Sequence, residues 1–278
     1  MKNTPRLARQ ARSNKLVTYL IVSAVGLIII LPALWLFISS FKTRAELTAY
    51  PIQFLPSHIS FRTYWDMLMN PDVSSVLLRS FGLGISTAAI TCITSAMAGY
   101  AFARIQSRWR KPLFSVVIAM LIVPNVIMLI PQFILYARYH LINTFWPWYL
   151  AAFGATNPLY IFMYRQFFLG FPKELEEAAE IDGASPIGIF LRVILPNSKP
   201  ALATLLIFAF NAVWGDFLTP TMFLNDPGQL IATWLGYTPV RNPYALTLTV
   251  LYILPVVILF NVIQKNIQKG MLFTGLRG

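Results

Sequence analysis

Charge is what this chain lacks most. Only 12% of its 278 residues are charged and 57% are hydrophobic, whereas an ordinary soluble domain carries about a quarter charged residues. That balance excludes a soluble globule and makes a bilayer the natural solvent. Cysteine is nearly absent: Cys92 stands alone inside an apolar run, so no internal disulfide forms, and a small packed side chain is the expected role. Two isolated histidines, His58 and His140, make no metal site. There is no G-x-x-x-x-G-K-[ST] phosphate loop, and no Gly-Lys pair from which to build one. H-E-x-x-H, C-x-x-C and G-x-S-x-G are missing too, so a membrane enzyme is a poor reading. Acidic residues number ten against 22 Lys and Arg, a formal charge of +12. Nucleic acid is excluded as the reason, because the basic residues sit at the ends of apolar runs, where they set topology.

What the chain has is long apolar runs. A bilayer core about 30 Å thick needs roughly 20 apolar residues as helix. Charge-free windows of that size lie at 16–41, 80–103, 112–137, 141–164 and 242–264, and a sixth, 200–225, is apolar except for Asp216. The expected fold is an all-α membrane protein with about six transmembrane helices. A basic N-terminal segment, 1–15, precedes the first window. Leu16 to Phe41 is 26 residues without a charge, well beyond the roughly 7–15 of a signal-peptide core, so an uncleaved first span is expected.

With the N-terminus inside, six spans put both termini inside. Sixteen of the 22 basic residues then fall on the cytoplasmic side, from Lys2, Arg6 and Arg9 to Lys269 and Arg277, and six outside: Lys42, Arg44, Arg62, Arg79, Arg138 and Arg241. That is a clear positive-inside bias. Trp65, Trp109, Trp146, Trp148 and Trp234 stand near span ends, as an aromatic belt requires. The stretch from Lys42 to Arg79 is expected to be an external loop with short helices.

The second run is rich in small residues, among them Gly82, Gly84, Ser86, Ala88, Ser95 and Gly99, at spacings that let helix backbones approach closely in lipid. Prolines beside amides mark breaks: Pro124–Asn125 and Pro131–Gln132 in the third run, Asn157–Pro158 in the fourth. Pro220 and Pro255 are expected to interrupt the last two. Polar groups at such breaks suit a polar cavity, or are satisfied by neighbouring helices. Candidate pathway residues are Asn125, Gln132, Asn157, Asn211, Trp214 and Asp216. For Asp216 two roles stand side by side, a substrate or gate contact and a structural hydrogen bond.

The cytoplasmic insert Phe171 to Pro200 reads FPKELEEAAEIDGASPIGIFLRVILPNSKP and holds five of the ten acidic residues, Glu174, Glu176, Glu177, Glu180 and Asp182. Pro172 and the early glutamates suit a helix start, Gly183 a stop, and Ser185–Pro186 a restart. Leu175, Ala178, Ala179 and Asp182 are expected on one face, Glu176 and Glu180 on another. Ile187, Phe190, Val193 and Ile194 form an apolar stripe ending at Pro196. By pattern alone this is a solvated interfacial connector or a docking element.

Glu177-Ala178-Ala179, then Gly183, Val193 and Leu195-Pro196, resembles the E-A-A-x3-G-x9-I-x-L-P signature of binding-protein-dependent ABC importer permeases, with Val193 in place of isoleucine. EEAAEIDGASP, AGYAFAR (Ala98 to Arg104), WGDFLTP (Trp214 to Pro220) and the tail from Leu254 resemble the second permease of the maltose-type carbohydrate importers, across roughly residues 15–278. Gly215 departs from the asparagine usual there. The resemblance implies a non-hydrolytic permease subunit for a sugar, oligosaccharide or polyol. It has no cofactor of its own. Its implied partners are a second permease, two ATP-binding subunits and an extracytoplasmic solute-binding protein, in a bacterial-type inner membrane. Glu176, Glu177, Ala178, Ala179, Asp182, Gly183 and Ala184 would form the coupling helix that docks on the ATPase, between spans four and five. Other readings are the same machinery for a non-carbohydrate solute, an ion-coupled secondary transporter, which would need more intramembrane ionisable groups than Asp216, and a membrane scaffold.

Overall fold

In a computed structural model the chain is all helical among the described residues, which comprise the backbone of 4–238 and 243–275 and the side chains of 17–226, 228–238 and 244–265. The basic segment 1–15, Arg241, Lys269 and Arg277, on which part of the charge asymmetry rests, lie outside the described side chains. Two compact units form, Met1–Asn70 with Thr238–Leu251, and Pro71–Tyr237 with Tyr252–Gly278.

The first unit contains α1 (Thr4–Ser39), α2 (Arg44–Leu47) and α3 (Arg62–Met69), so the stretch after Lys42 does hold short helices. Helix α2 starts with a capping box: the Glu46 N–H donates to Thr43 Oγ1, and the Thr43 N–H donates to Glu46 Oε2 at 2.7 Å. Glu46 also accepts from the Ser57 N–H at 2.7 Å, which pins the loop behind it. Hydrogen bonds from the Ser57 side chain, then from the Thr43 and Ser57 backbone, hold its carboxyl down to about 2. Lys42 is buried; its Nζ donates to Gln53 O at 2.7 Å and lies 4.0 Å from the centre of the Trp35 ring.

The second unit is built on α4 (Pro71–Arg104), 34 residues long. It starts well before the charge-free window because Asn70–Pro71–Asp72 is a helix start, and Arg79 folds back to donate to Ser75 O and Oγ. The unit continues with α5 (Arg110–Met120), α6 (Asn125–Arg138), α7 (Trp146–Phe153), α8 (Pro158–Leu169), α9 (Glu174–Ile181), α10 (Pro186–Ile189), a π turn (Phe190–Ile194), α11 (Leu195–Asn197), α12 (Lys199–Trp214), α13 (Leu218–Phe223) and α14 (Ile231–Tyr237). The last helix, α15 (Pro243–Gly275), is divided, its residues up to Leu251 belonging to the first unit and those from Tyr252 to the second. The small residues of α4 do the work expected of them. A Cβ at Gly84 would come within 3.0 Å of the Phe210 ring, and one at Gly99 within 2.6 Å of Tyr164 Cβ and 2.9 Å of the Arg165 nitrogen. Gly82, by contrast, faces open space. Cys92 is buried, as its apolar setting suggested.

Among the described residues three helices are long and apolar enough to cross a bilayer by themselves: Val17–Ser39, Pro71–Arg104 and Tyr244–Lys265. Two bent pairs raise the number to five, Arg110–Met120 with Asn125–Arg138 at 102°, and Pro186–Asn197 with Lys199–Trp214 at 82°. The expected fourth run folds as α7 and α8, broken before Asn157–Pro158 as those residues suggested. Pro131 and Pro255 do not break their helices; each removes one hydrogen bond, and the apolar residues on both sides keep the helix going. The fifth run breaks at Gly215–Phe217, earlier than Pro220, because α12 has ended at Trp214 and Pro220 lies in the first turn of α13, where a missing N–H costs nothing.

Candidate functional site

Helix α9 opens with Glu174, Glu176 and Glu177 in its first turn, where the helix dipole favours carboxylates. It closes with a glycine motif: the Gly183 N–H donates to Glu180 O and the Ala184 N–H to Ala179 O, each at 3.0 Å, with Gly183 at φ +78. A Cβ there would meet nothing within 4 Å, so it is the left-handed backbone, and not lack of room, that calls for glycine. Ser185 restarts the chain, its Oγ accepting from the Gly188 N–H at 3.2 Å, with Pro186 as first helical residue.

The return to α12 is irregular. Pro196 has no N–H to continue the α pattern, and the Leu195 N–H reaches back five residues to Phe190 O, making a π turn. This shifts the register and corrects the expected stripe. Phe190 and Ile194 are buried, but Ile189 takes the place assigned to Ile187, which is 69% exposed.

The proposed docking residues do not share one face. Glu177, Ala178, Asp182 and Gly183 are exposed, together with Leu175, Ile181 and Ile187, whereas Glu176, Ala179 and Ala184 are half-buried. Glu176 and Ala179, three apart, form the inward side of α9. This corrects the expected pairing of Ala178 with Ala179 and of Glu176 with Glu180. Glu176 meets Arg104 at the end of α4, Nε to Oε1 2.8 Å, with side chains 10% and 13% exposed. Tyr100 OH donates to Glu176 Oε2 at 3.0 Å, and Arg104 also donates to Phe171 O. The Tyr100 ring lies 5.4 Å from Phe190 and 5.8 Å from Phe168. Tyr100 and Arg104 were not singled out from sequence. The available signals are the AGYAFAR stretch that holds both, Ala98 to Arg104, and their spacing, four apart at the end of the second run.

The pathway candidates divide. Asn157 caps α8, accepting from the Leu159 and Tyr160 N–H groups. Trp214 is buried, donates from Nε1 to Tyr252 O at 2.9 Å, and is stacked between Phe210 and Tyr252. Asp216 accepts from the Thr219 N–H at 3.0 Å, which starts α13. Asn125 and Gln132, seven apart on one face of α6, and Asn211 on α12 are exposed. An open groove of about 610 Å³, missed from sequence, runs past Asn143, Trp146, Tyr149 and Gln229. Among the described residues no group of three His, Cys, Asp or Glu side chains could hold a metal ion.

Known proteins share this pattern and fold. The family described as binding-protein-dependent transport system inner membrane component matches residues 93–273. The chain is 31% identical over 252 residues to the sulfoquinovosyl glycerol transport system permease protein SmoH of Agrobacterium fabrum, covering 89% of this chain and 88% of that protein. It is 32% identical over 264 residues to the arabinooligosaccharides transport system permease protein AraQ of Halalkalibacterium halodurans, covering 91% and 93%. A chain in the crystal structure of a bacterial ABC transporter involved in the import of the acidic polysaccharide alginate superposes with a TM-score of 0.76, covering 92% of this chain and 97% of that one, at 22% identity. At that identity the likeness is one of fold.

Proposed function

The chain belongs to the binding-protein-dependent transport system inner membrane component family, and from that premise we propose that it forms half of the translocation pathway of an ATP-driven importer for a sugar, oligosaccharide or polyol. The carbohydrate class is supported by relatives named for arabinooligosaccharides and for sulfoquinovosyl glycerol. As a membrane-embedded permease component, the chain is the non-enzymatic part of such a system. ATP is bound and hydrolysed on two separate subunits, and the chain holds no cofactor itself. A second permease completes the pathway, and an extracytoplasmic binding protein delivers the solute.

The observation that carries this reading is α9 with its Gly183 end. A short helix bearing Glu177, Ala178 and Asp182 on its outer side, with Ile181 and Ile187 standing out beside the turn, offers carboxylates and apolar knobs together. That combination suits a groove with a basic rim on a partner subunit. In this proposal residues 16–278 form six spans, the fourth made of α7 and α8, with residues 1–15 and both termini on the cytoplasmic side of the inner membrane. The sixteen-to-six distribution of basic residues supports that sidedness. Asn125, Gln132 and Asn211 supply exposed amides to the pathway. Asn157, Trp214 and Asp216 shape it by holding helix ends and packing.

The test is purification from native membranes. A co-purifying ATPase that is lost on Glu177→Lys, together with ATP-dependent uptake of a carbohydrate, is the expected result. A chain that purifies alone, with uptake that follows an ion gradient, would overturn the proposal in favour of a secondary transporter.

A further inference from the structure

Glu176 sits among the glutamates of the acidic helix, yet it is the one turned away from any partner. Its two carboxylate oxygens are used inside the chain: Oε1 faces Arg104 Nε at 2.8 Å, and Oε2 accepts from Tyr100 OH at 3.0 Å. Arg104 also reaches Phe171 O, just ahead of α9. A carboxylate 13% exposed is held in place only when its charge is matched, and here the match comes entirely from the end of α4.

Helix α4 is itself fastened along its length. Ser80 Oγ accepts from the Ile231 N–H at 2.8 Å at the start of α14, and Thr94 Oγ1 donates to Ala152 O at 2.7 Å on α7. Gly99 lets the backbone of α8 close on it, and Phe102 O accepts from Arg165 Nε at 3.3 Å. The covalent route from α9 to α12, by contrast, runs through the Gly183 turn, a π turn and an 82° bend at Ser198. A route with three irregular joints is a poor conductor of displacement.

We infer that Tyr100 and Arg104 are a strut that clamps the acidic helix to α4 through Glu176, so that movement of α9 is delivered to α4 through space as well as to α12 along the chain. Glu176 is then a positioning residue and not an ATPase contact, while Glu177, Ala178 and Asp182 remain the outward side. This rests on the importer reading for its consequence in transport, but not for the clamp.

The experiment has two arms. In the chain alone, in membrane or detergent, amide exchange of residues 174–184 is compared between wild type, Glu176→Gln, Tyr100→Phe and the swap Arg104→Glu with Glu176→Arg. Faster exchange in Glu176→Gln and Tyr100→Phe, with recovery in the swap, is expected. Tyr100→Phe keeps the ring contacts, so it decides the matter if the swap does not accumulate; unchanged exchange in both single variants overturns the strut. In the assembled transporter, Glu176→Gln should retain its ATPase subunits and hydrolysis, while solute moved per ATP falls about tenfold, the change expected for one charge-assisted hydrogen bond. An unchanged ratio, or loss of the ATPase with exchange unaltered, overturns the inference. If wild type holds no ATPase, the importer reading fails and the exchange arm still decides the clamp.

Discussion

Glu46 and Glu176 each fasten a short helix, of four and eight residues respectively, the first in the open and the second under cover. Glu46 closes a capping box and reaches the Ser57 N–H, with every partner belonging to its own loop. Glu176 is held by side chains more than seventy positions away, on the longest helix of its unit. A local carboxylate organises its own segment, and water screens it. A covered one joins two segments, and it needs an opposite charge to be there at all. The first motif is readable from sequence spacing. The second depends on the packing of distant segments, in which Gly99 sets α4 close against α8, the helix that leads into α9.

The largest effect is therefore expected at that close approach. Gly99→Leu places atoms where Tyr164 Cβ and the Arg165 backbone already lie, 2.6 and 2.9 Å from even a first carbon. Overpacking of that kind costs about 1–3 kcal/mol or more, so the melting temperature in detergent should drop by several degrees, with Gly99→Ala falling between. Equal melting of all three would show that the packing of α4 on α8 does not rely on close approach at Gly99.

Gly183 comes next and sharpens the contrast at the outer side of α9. Since nothing lies within 4 Å of a Cβ there, Gly183→Ala and Gly183→Trp should impair coupling alike, through left-handed strain of about 1–2 kcal/mol, and Gly183→Asn less. Solute transported per ATP is the measurement. If Trp is far worse than Ala, the turn itself lies against a partner.

The smallest effect belongs to Glu46. Its carboxyl titrates near 2 in the folded chain, below its ordinary value of 4.5. A depressed carboxyl contributes order that is fully present above the ordinary value and is lost as pH falls through the folded one. Proteolysis of the 43–57 loop should thus rise between about pH 4.5 and 2 in wild type, and start higher and stay flatter in Glu46→Gln. Matching profiles would mean that Thr43 and Ser57 hold the loop without the charge.

Much of this was legible in the residues. Apolar length against charge decided a helical membrane protein. Asn157–Pro158, Gly183 and Ser185–Pro186 each marked a helix end where one exists, because capping and backbone preference act over a few residues. The spacing from Glu177 to Pro196 carries the resemblance to the family to which the chain belongs. Pro131 and Pro255 were misread as interruptions, and the stripe began one turn-position off at Ile187, since a single π turn shifts every upstream side chain.

By itself, then, the sequence determined the solvent, the helical class, the acidic insert and where that insert turns. Only the tertiary structure decided that Glu176 looks inward to Arg104 while Glu177 looks out, that Trp214 is stacked and bonded in the interior, and that Asp216 starts a helix. Local signals fix where helices begin and end because their hydrogen bonds close within a few residues. Which way a charged side chain turns is settled by the opposite charge that a distant helix brings beside it.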